Sequence, residues 1–438
     1  MPMFSAVVKE RLLSSISAIE QRKEHFVAQP GKSFTRNRKL GFQTCVKLML
    51  SIGGGSLGNE MLDFFSHSPD TVSPSAFVQS RKKLSSEVFK VLLQDFTHGF
   101  DHLKTPQGYR AIAVDGSALN IPHDPKDTQT YFQSTPGSRG FNQVHINAMY
   151  DLVNKVYLDA SVQPGRELNE FRALTDMVDN STLEDKVLIV ADRGYESYNV
   201  FAHIIEKGWK FLIRVRDKSS KGISMLSTFD LPESGQFDKQ ITRLLTRKQT
   251  NKVKARPDLY KFVPSTSTFD YLEKKSDRFY PLSLRVVRIV LEDGSSQCFI
   301  TNLEPEEAPP DKIRELYHLR WGIETSFREI KHTLALTHLH SKKEEHIIQE
   351  IFAKMIMYNF CSIITSHVVI EKSDRRHAYK VNFSKAVHIC KYFFRGDDVH
   401  PPDVEALIQK YILPIRMGRS SPRRIRFSSF VSFNYRVS

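Results

Sequence analysis

The chain is poor in the residues that would mark a secreted scaffold or a transition-metal protein. Its four cysteines, Cys45, Cys298, Cys361 and Cys390, lie far apart among 438 residues with no CxxC spacing. That argues against a disulfide framework and a cysteine zinc site, and fits a reducing cytosol. The sixteen histidines offer no helical HxxxH pair with a third ligand beside it. Long apolar runs are also missing. The most apolar segment, Met355 to Ile370, is broken by Asn359, Ser362, Thr365, Ser366 and His367, and reads as a buried helix rather than a membrane span. Lys9, Glu10, Arg11 and Glu20 interrupt the first twenty residues, so no signal peptide is expected. Acidic residues are in deficit, 49 against 63 Lys and Arg, for a formal charge of +14. A polyanionic partner follows, nucleic acid first and an acidic membrane surface second. No acid occurs after Glu405, while Lys410, Arg416, Arg419, Arg423, Arg424, Arg426 and Arg436 accumulate. Such a tail either grips phosphates without regard to sequence or is a disordered end. No internal repeat is visible, and the length predicts two or three domains.

What the chain does contain is a dense run of functional side chains, from Tyr317 through Arg320 and Glu324 to Lys331. At about 100° per residue these four share an arc of about 60° on a regular helix, while Glu315 and Glu329 point elsewhere. A carboxylate flanked by two cations and a phenol suits a phosphodiester. The acid can hold a divalent metal, and the cations can grip phosphate oxygens. A solvated helix face is the alternative. Two further acids end apolar runs. Tyr109 to Val114 reads as a strand ending on Asp115-Gly116-Ser117, and Lys186 to Ala191 as a buried strand ending on Asp192-Arg193-Gly194-Tyr195. Strand ends of this kind are where ligands bind in open α/β sheets, although each Asp could instead cap the turn that follows. Together with Glu324 they can hold a pair of divalent metals for in-line displacement at phosphorus. Oxygen donors without nearby Cys or His favour magnesium.

With these motifs in hand, the chain resembles the DDE transposases of bacterial insertion sequences. Asp115, Asp192 and Glu324 match their acidic triad. Tyr317, Arg320, Glu324 and Lys331 match at every spacing the Tyr-(2)-Arg-(3)-Glu-(6)-Lys signature of the insertion-sequence-4-like group. The resemblance runs from about residue 105 to about 370. It implies an α/β protein with a ribonuclease-H-like catalytic core and mixed sheet, interrupted by a β-rich insertion between the second Asp and the Glu. An all-helical N-terminal domain would precede the core. It also implies a Mg2+-dependent enzyme, with two ions and Mn2+ as substitute, that binds terminal inverted repeats and cleaves and transfers DNA strands by a cut-and-paste route. Double-stranded DNA, as transposon ends and target, would be the partner, with a homodimer on DNA and no membrane role. The expected location is the bacterial cytoplasm, at the nucleoid. Two other readings share the motifs: a ribonuclease-H-like nuclease without strand transfer, and a non-catalytic DNA-binding derivative. Some relatives place a tryptophan in the insertion to stack on a flipped base. Here the only two are Trp209 and Trp321, which leaves Phe269, Tyr271, Phe279 or Tyr280 as aromatic faces.

On this reading residues 1–104 form a helical DNA-binding domain, 105–216 and 304–372 the core, 217–303 the insertion and 373–438 a basic C-terminal region. Helices are predicted from Phe4 to Phe26, Leu40 to Ile52, Asn59 to Phe65 and, capped by Ser73-Pro74, on to Leu84. Arg81, Lys82 and Lys83 at the end of the last would face DNA, unless they only complement the helix dipole. Arg193, beside the second Asp, joins the expected DNA-binding set. Arg243 to Arg256 carries six cations and no acid, either as a strip for DNA or as a solvated loop. Asp293-Gly294 between two apolar runs predicts a hairpin, and Asp311 an N-cap for the helix bearing Glu324.

Overall fold

The computed structural model describes residues 3–100, 105, 108–133, 135, 137, 139–218, 224–370, 377–396 and 401–415. The basic tail from Arg416 onward, and the Ser-Ser-Lys-Gly after Lys218, fall outside the described residues. Five helices open the chain: α1 (Phe4–Gln21), α2 (Phe42–Ser51), α3 (Leu57–Phe64), α4 (Pro74–Arg81) and α5 (Glu87–His98). Ser73 caps α4 by accepting from Ala76 N, with Pro74 just inside, and Ser56 caps α3 through Asn59 N. Both are N-cap chemistry supplying a partner to an otherwise orphaned amide.

A large mixed sheet follows, built from β1 (Arg110–Ile121), β2 (Tyr131–Phe132), β3 (Phe141–Asp151), β4 (Val156–Pro164), β5 (Val187–Ala191) and β6 (Lys210–Val215). It continues through β7 (Phe237–Thr246), β8 (Tyr260–Phe262), β9 (Phe279–Val290) and β10 (Ser296–Thr301). Helix α6 (Glu170–Asp179) leads into β5, α7 (Tyr198–Glu206) into β6, and α8 (Asn251–Ala255) lies between β7 and β8. The ten strands run β2-β3-β1-β5-β6-β10-β9-β7-β8, with β4 on β3. β1, β5 and β6 are mutually parallel, as are β7 and β8; the remaining pairs are antiparallel. The strands of residues 217–303 therefore extend the same sheet through the β10–β6 pairing. The β9–β10 hairpin closes at Asp293-Gly294, where Gly294 takes φ +77°, a conformation that glycine adopts without strain.

After the sheet come α9 (Pro310–Leu319), α10 (Trp321–Arg328) and α11 (Glu344–His367). Pro309 occupies the N-cap of α9 and Asp311 falls inside its first turn, two residues past the cap position expected for it. α11 is the centre of the molecule. It packs against α1, α2, α5 and β4, and against α12 (Phe383–Arg395). A helix touched on all sides carries no polar face, and the charged residues beyond its first turn, Glu350 and Lys354, are buried with the rest. Its apolar window is long enough to cross a membrane, and 94% of that window is buried inside the protein. α13 (Val404–Lys410) and the small β11 (Tyr379–Val381)–β12 (Ile412–Pro414) pair complete the described chain.

The same packing corrects one site expectation. Arg81 does not face outward. It is fully buried, with Nη1 2.9 Å from Glu350 Oε1, Nε donating to Gln349 and Nη2 to the carbonyl of His346 on α11. A buried carboxylate on α11 needs a cation, and that need, rather than DNA, claims Arg81. Lys82 is exposed and Lys83 half-buried. Lys83 joins Lys32, Arg36 and Arg38 around a cleft of about 430 Å3, a basic group that the helix pattern alone did not reveal.

Candidate active site

The first two acids meet because of strand register. β1 and β5 pair in parallel from Arg110↔Val187 to Val114↔Ala191; Asp115 is the next residue on β1, and Asp192 is the first residue past the end of β5, capping the turn Arg193–Tyr195. β1 continues to Ile121 on β3 alone, so Asp115 is mid-strand rather than at a strand end as its sequence setting predicts. What ends there is the β1–β5 pairing, and the candidate site lies just past its last pair. Asp115 Oδ1 accepts from Gly116 N at 2.9 Å; Asp192 Oδ1 accepts from Gly194 N at 2.7 Å.

The third acid arrives on an interrupted helix. The signature run is not one regular helix: α9 ends at Leu319 and α10 begins at Trp321. At the joint Arg320 N donates to Tyr317 O and Ile323 N to Arg320 O, bonds one residue tighter than the α-helical pattern. A π turn follows over Glu329–Thr333, where Leu334 N reaches Glu329 O. The shared arc expected from 100° spacing is replaced by two local changes of winding, each of which re-aims a signature residue.

Arg320 stands between the carboxylates. Its Nη2 donates to Glu324 Oε1 at 2.7 Å, and its Nη1 is 3.7 Å from Asp115 Oδ2. The guanidinium lies over the rings of Tyr317 and Trp321, at 5.6 and 5.2 Å from their centroids, contacts worth about 0.5–2 kcal/mol each. Its Nε is buried without a partner. Tyr317 is itself buried, edge-on to Phe299. Burial raises its hydroxyl pKa, the charges of Arg320 and Arg214 oppose that, and Asp192 adds to it. Lys331, turned by the π bend, donates to Ser117 Oγ at 2.8 Å and to Ala118 O at 2.6 Å, so it ties the helix to β1 just past Asp115. Arg193 is exposed beside Asp192. Glu329 and Glu315 are occupied elsewhere, by the Tyr358 hydroxyl and Lys312.

Electrostatically the acids form one group. Burial raises the Asp115 carboxyl to about 6, opposed by the Gly116 hydrogen bond and Arg320 and reinforced by repulsion from Asp192 and Glu324. Among the described residues, no three His, Cys, Asp or Glu side chains stand as a ready-made metal cage. The donors are nevertheless all hard oxygens, the set that suits Mg2+ or Mn2+, and Arg320 supplies the counter-charge between two of them. Of the insertion aromatics, Phe269 is buried, Tyr271 and Tyr280 are half-buried against it and each other, and Phe279 is exposed. Residues outside the motifs also border the site. Trp321 is half-exposed over a cavity of about 660 Å3 that Arg214, Arg314 and Arg320 line. Tyr195 is buried, and His145 and Glu170 lie against Gly116.

With the geometry in place, the relatives can be set beside it. The family model described as the transposase DDE domain matches residues 106–360, a stretch containing all three acids. This chain belongs to that family. It is 22% identical over 374 residues to the transposase InsG for insertion sequence element IS4 of Escherichia coli (strain K12), covering 81% of this chain and 77% of that protein. It is 23% identical over 276 residues to the transposase for insertion sequence element IS231F of Bacillus thuringiensis subsp. israelensis, covering 58% of this chain and 56% of that one. In structure, the piggyBac transposase of a synaptic complex with hairpin DNA aligns with 95% of this chain and 87% of its own, at 10% identity and a TM-score of 0.45.

Proposed function

We propose that the chain is the transposase of an insertion sequence, one that binds the element's terminal inverted repeats and cuts and rejoins DNA with divalent metals. The observation that carries this is the β1–β5 register, which sets Asp115 and Asp192 side by side where the pairing ends, with Glu324 linked to Asp115 through Arg320. On this reading Asp115, Asp192 and Glu324 hold two Mg2+ ions, with Mn2+ as a substitute. Bound there, such ions supply activation of the attacking oxygen and stabilisation of the leaving one. Arg320 then exchanges its hold on Glu324 for the phosphate beside the scissile bond, and its unpartnered Nε is a free donor for that purpose. Tyr317 positions a backbone oxygen. Lys331 keeps the Glu324 helix against β1 and offers charge to the same phosphate.

The central strands, β3-β1-β5-β6 with α6, α7, α9 and α10, form a ribonuclease-H-like core in this account. Residues 217–303 form a β-rich insertion that contributes cations to DNA. The helical residues 1–104 contribute DNA contacts through Lys82, Lys83 and the adjoining Arg36 and Arg38, and Arg193 contributes a contact beside the site. Two protomers pair two transposon ends, in the cytoplasm at the nucleoid. The test is incubation of the protein with DNA bearing the element's ends, with and without Mg2+, and mapping of the cut strands. Cleavage at the element boundary that needs Mg2+ and is lost in Asp192→Ala is expected. Metal-independent or boundary-blind cutting would contradict the reading, and cleavage without joined products would point to a nuclease lacking strand transfer.

A further inference from the structure

One carboxylate beside the acids belongs to none of the motifs. Glu170 is the first residue of α6, and its Oε1 is 2.9 Å from Nε2 of His145 on β3. The pair is packed directly on the strand residue after Asp115. A Cβ added to Gly116 would stand 2.3 Å from Glu170 Oε1 and 2.1 Å from His145 Nε2. A side chain at 116 would meet the tips of both residues, so this pair fills the space that the missing Cβ of Gly116 leaves. The other oxygen of Glu170 lies near the turn after Asp192. Glu170 Oε2 lies 4.0 Å, and Asp192 Oδ1 2.9 Å, from the point where a Cβ on Gly194 would stand. A single carboxylate thus reaches from the neighbour of Asp115 to the turn that holds Asp192.

A glutamate in the first turn of a helix is favourable on dipole grounds alone, so its presence there requires no ligand. Its placement beside two more acids does ask for one, because like charges this near repel. An independent sign comes from Tyr195. Its side chain is 2% exposed and its hydroxyl has no hydrogen-bond partner. The charges bearing on that hydroxyl are those of Glu170, Asp115 and Asp192, in that order, after burial itself. A buried hydroxyl left without a partner is costly, and a hydrated cation held among those carboxylates brings the partner it lacks.

We infer that Glu170 is a fourth carboxylate of the divalent-metal site, with Oε2 facing the cation and Oε1 anchored by His145, which acts as a positioning residue. This rests on the reading of Asp115, Asp192 and Glu324 as metal ligands. The test is titration of the full-length protein with Mn2+ alone, followed by the electron paramagnetic resonance signal of the free ion, for wild type, Asp192→Asn, Glu170→Gln and His145→Gln. Metal-free thermal melts of each variant give the folded fraction to which binding is normalised. Glu170→Gln is expected to weaken Mn2+ binding by about a hundred-fold, and His145→Gln, which keeps every carboxylate, by a smaller factor of about ten-fold. Weakening by Asp192→Asn but not by Glu170→Gln would overturn the fourth carboxylate and leave the triad standing. Unchanged binding in Asp192→Asn would overturn both.

Discussion

Replacing Arg81 with alanine separates a structural from a DNA-facing role for that residue. The change strips Glu350, 2% exposed on α11, of its cation at 2.9 Å. It also frees the Gln349 side chain and the His346 carbonyl. Breaking a buried pair by removing one partner costs about 3–5 kcal/mol. The His340 backbone N–H at 3.0 Å from Glu350 Oε2 softens the loss without supplying charge. At about 2.1 cal/mol/K of unfolding entropy per residue, that range lowers Tm by about 3–5 °C if the whole chain melts together. A pH series sharpens the test. Despite burial, the Arg81 charge and the His340 contacts hold the Glu350 carboxyl down at about 2, below its unfolded value of about 4.3. The stability it contributes is therefore present above about pH 4.3 and is lost as pH falls toward 2. Without Arg81 the buried carboxyl takes a proton readily, so the gap between wild type and variant should close on acidification. Thermal and urea melts at pH 7 and pH 4 measure both effects. A destabilisation below about 1 kcal/mol at pH 7, with weakened DNA binding in its place, would refute the buried-pair account.

Further outcomes follow from the same geometry. Arg320→Ala removes a charge-assisted contact worth about 1.5–3 kcal/mol, so kcat/KM for end cleavage should fall roughly ten- to a hundred-fold. Mn2+ binding should persist, and Arg320→Lys should not restore the rate, because the planar fork is what bridges two oxygens. Lys354, buried on α11 with its amine donating to the Ile52 carbonyl, is pushed down to about 7 by burial and by Lys391, with Glu350 and Glu60 opposing. The unfolded chain then binds the extra proton between about pH 7 and 10.4, so stability rises across that window. Denaturant melts at pH 7 and 9 should show a rise of a few kcal/mol in wild type that shrinks in Lys354→Met, with Lys391, held at about 8, supplying the remainder.

How far these features could be read from residues alone depends on the range of the interactions that make them. The apolar runs into Asp115 and Asp192 are local, and they mark two acids at the ends of core segments. That the acids are adjacent is a matter of β1–β5 register, Val114↔Ala191, set between segments far apart in the chain. The hairpin at Asp293-Gly294 is local chemistry and is where its turn residues put it. The signature run shows the limit of periodicity. Spacing names Tyr317, Arg320, Glu324 and Lys331, but a constant 100° step cannot contain the tight joint at Arg320 or the π turn at Glu329–Thr333. Lys331 consequently grips Ser117 and Ala118 on β1. Arg81 reads as a surface cation in the sequence because its partner lies 269 residues away. His145 and Glu170 escaped notice because an isolated His and Glu on different elements carry no pattern; only the space they occupy at Gly116 exposes them.

On the proposed function, Asp115, Asp192 and Glu324 work as one unit on a DNA phosphate. Single-turnover cleavage of DNA carrying the element's end, in Mg2+, for Asp115→Asn, Asp192→Asn, Glu324→Gln and each pairwise double variant tests it most directly. Residues that act as a unit are strongly non-additive, so every single variant should lose about a thousand-fold or more, and the doubles should lose little beyond that. One single variant cleaving at the wild-type rate, or double losses equal to the product of the singles, would contradict it.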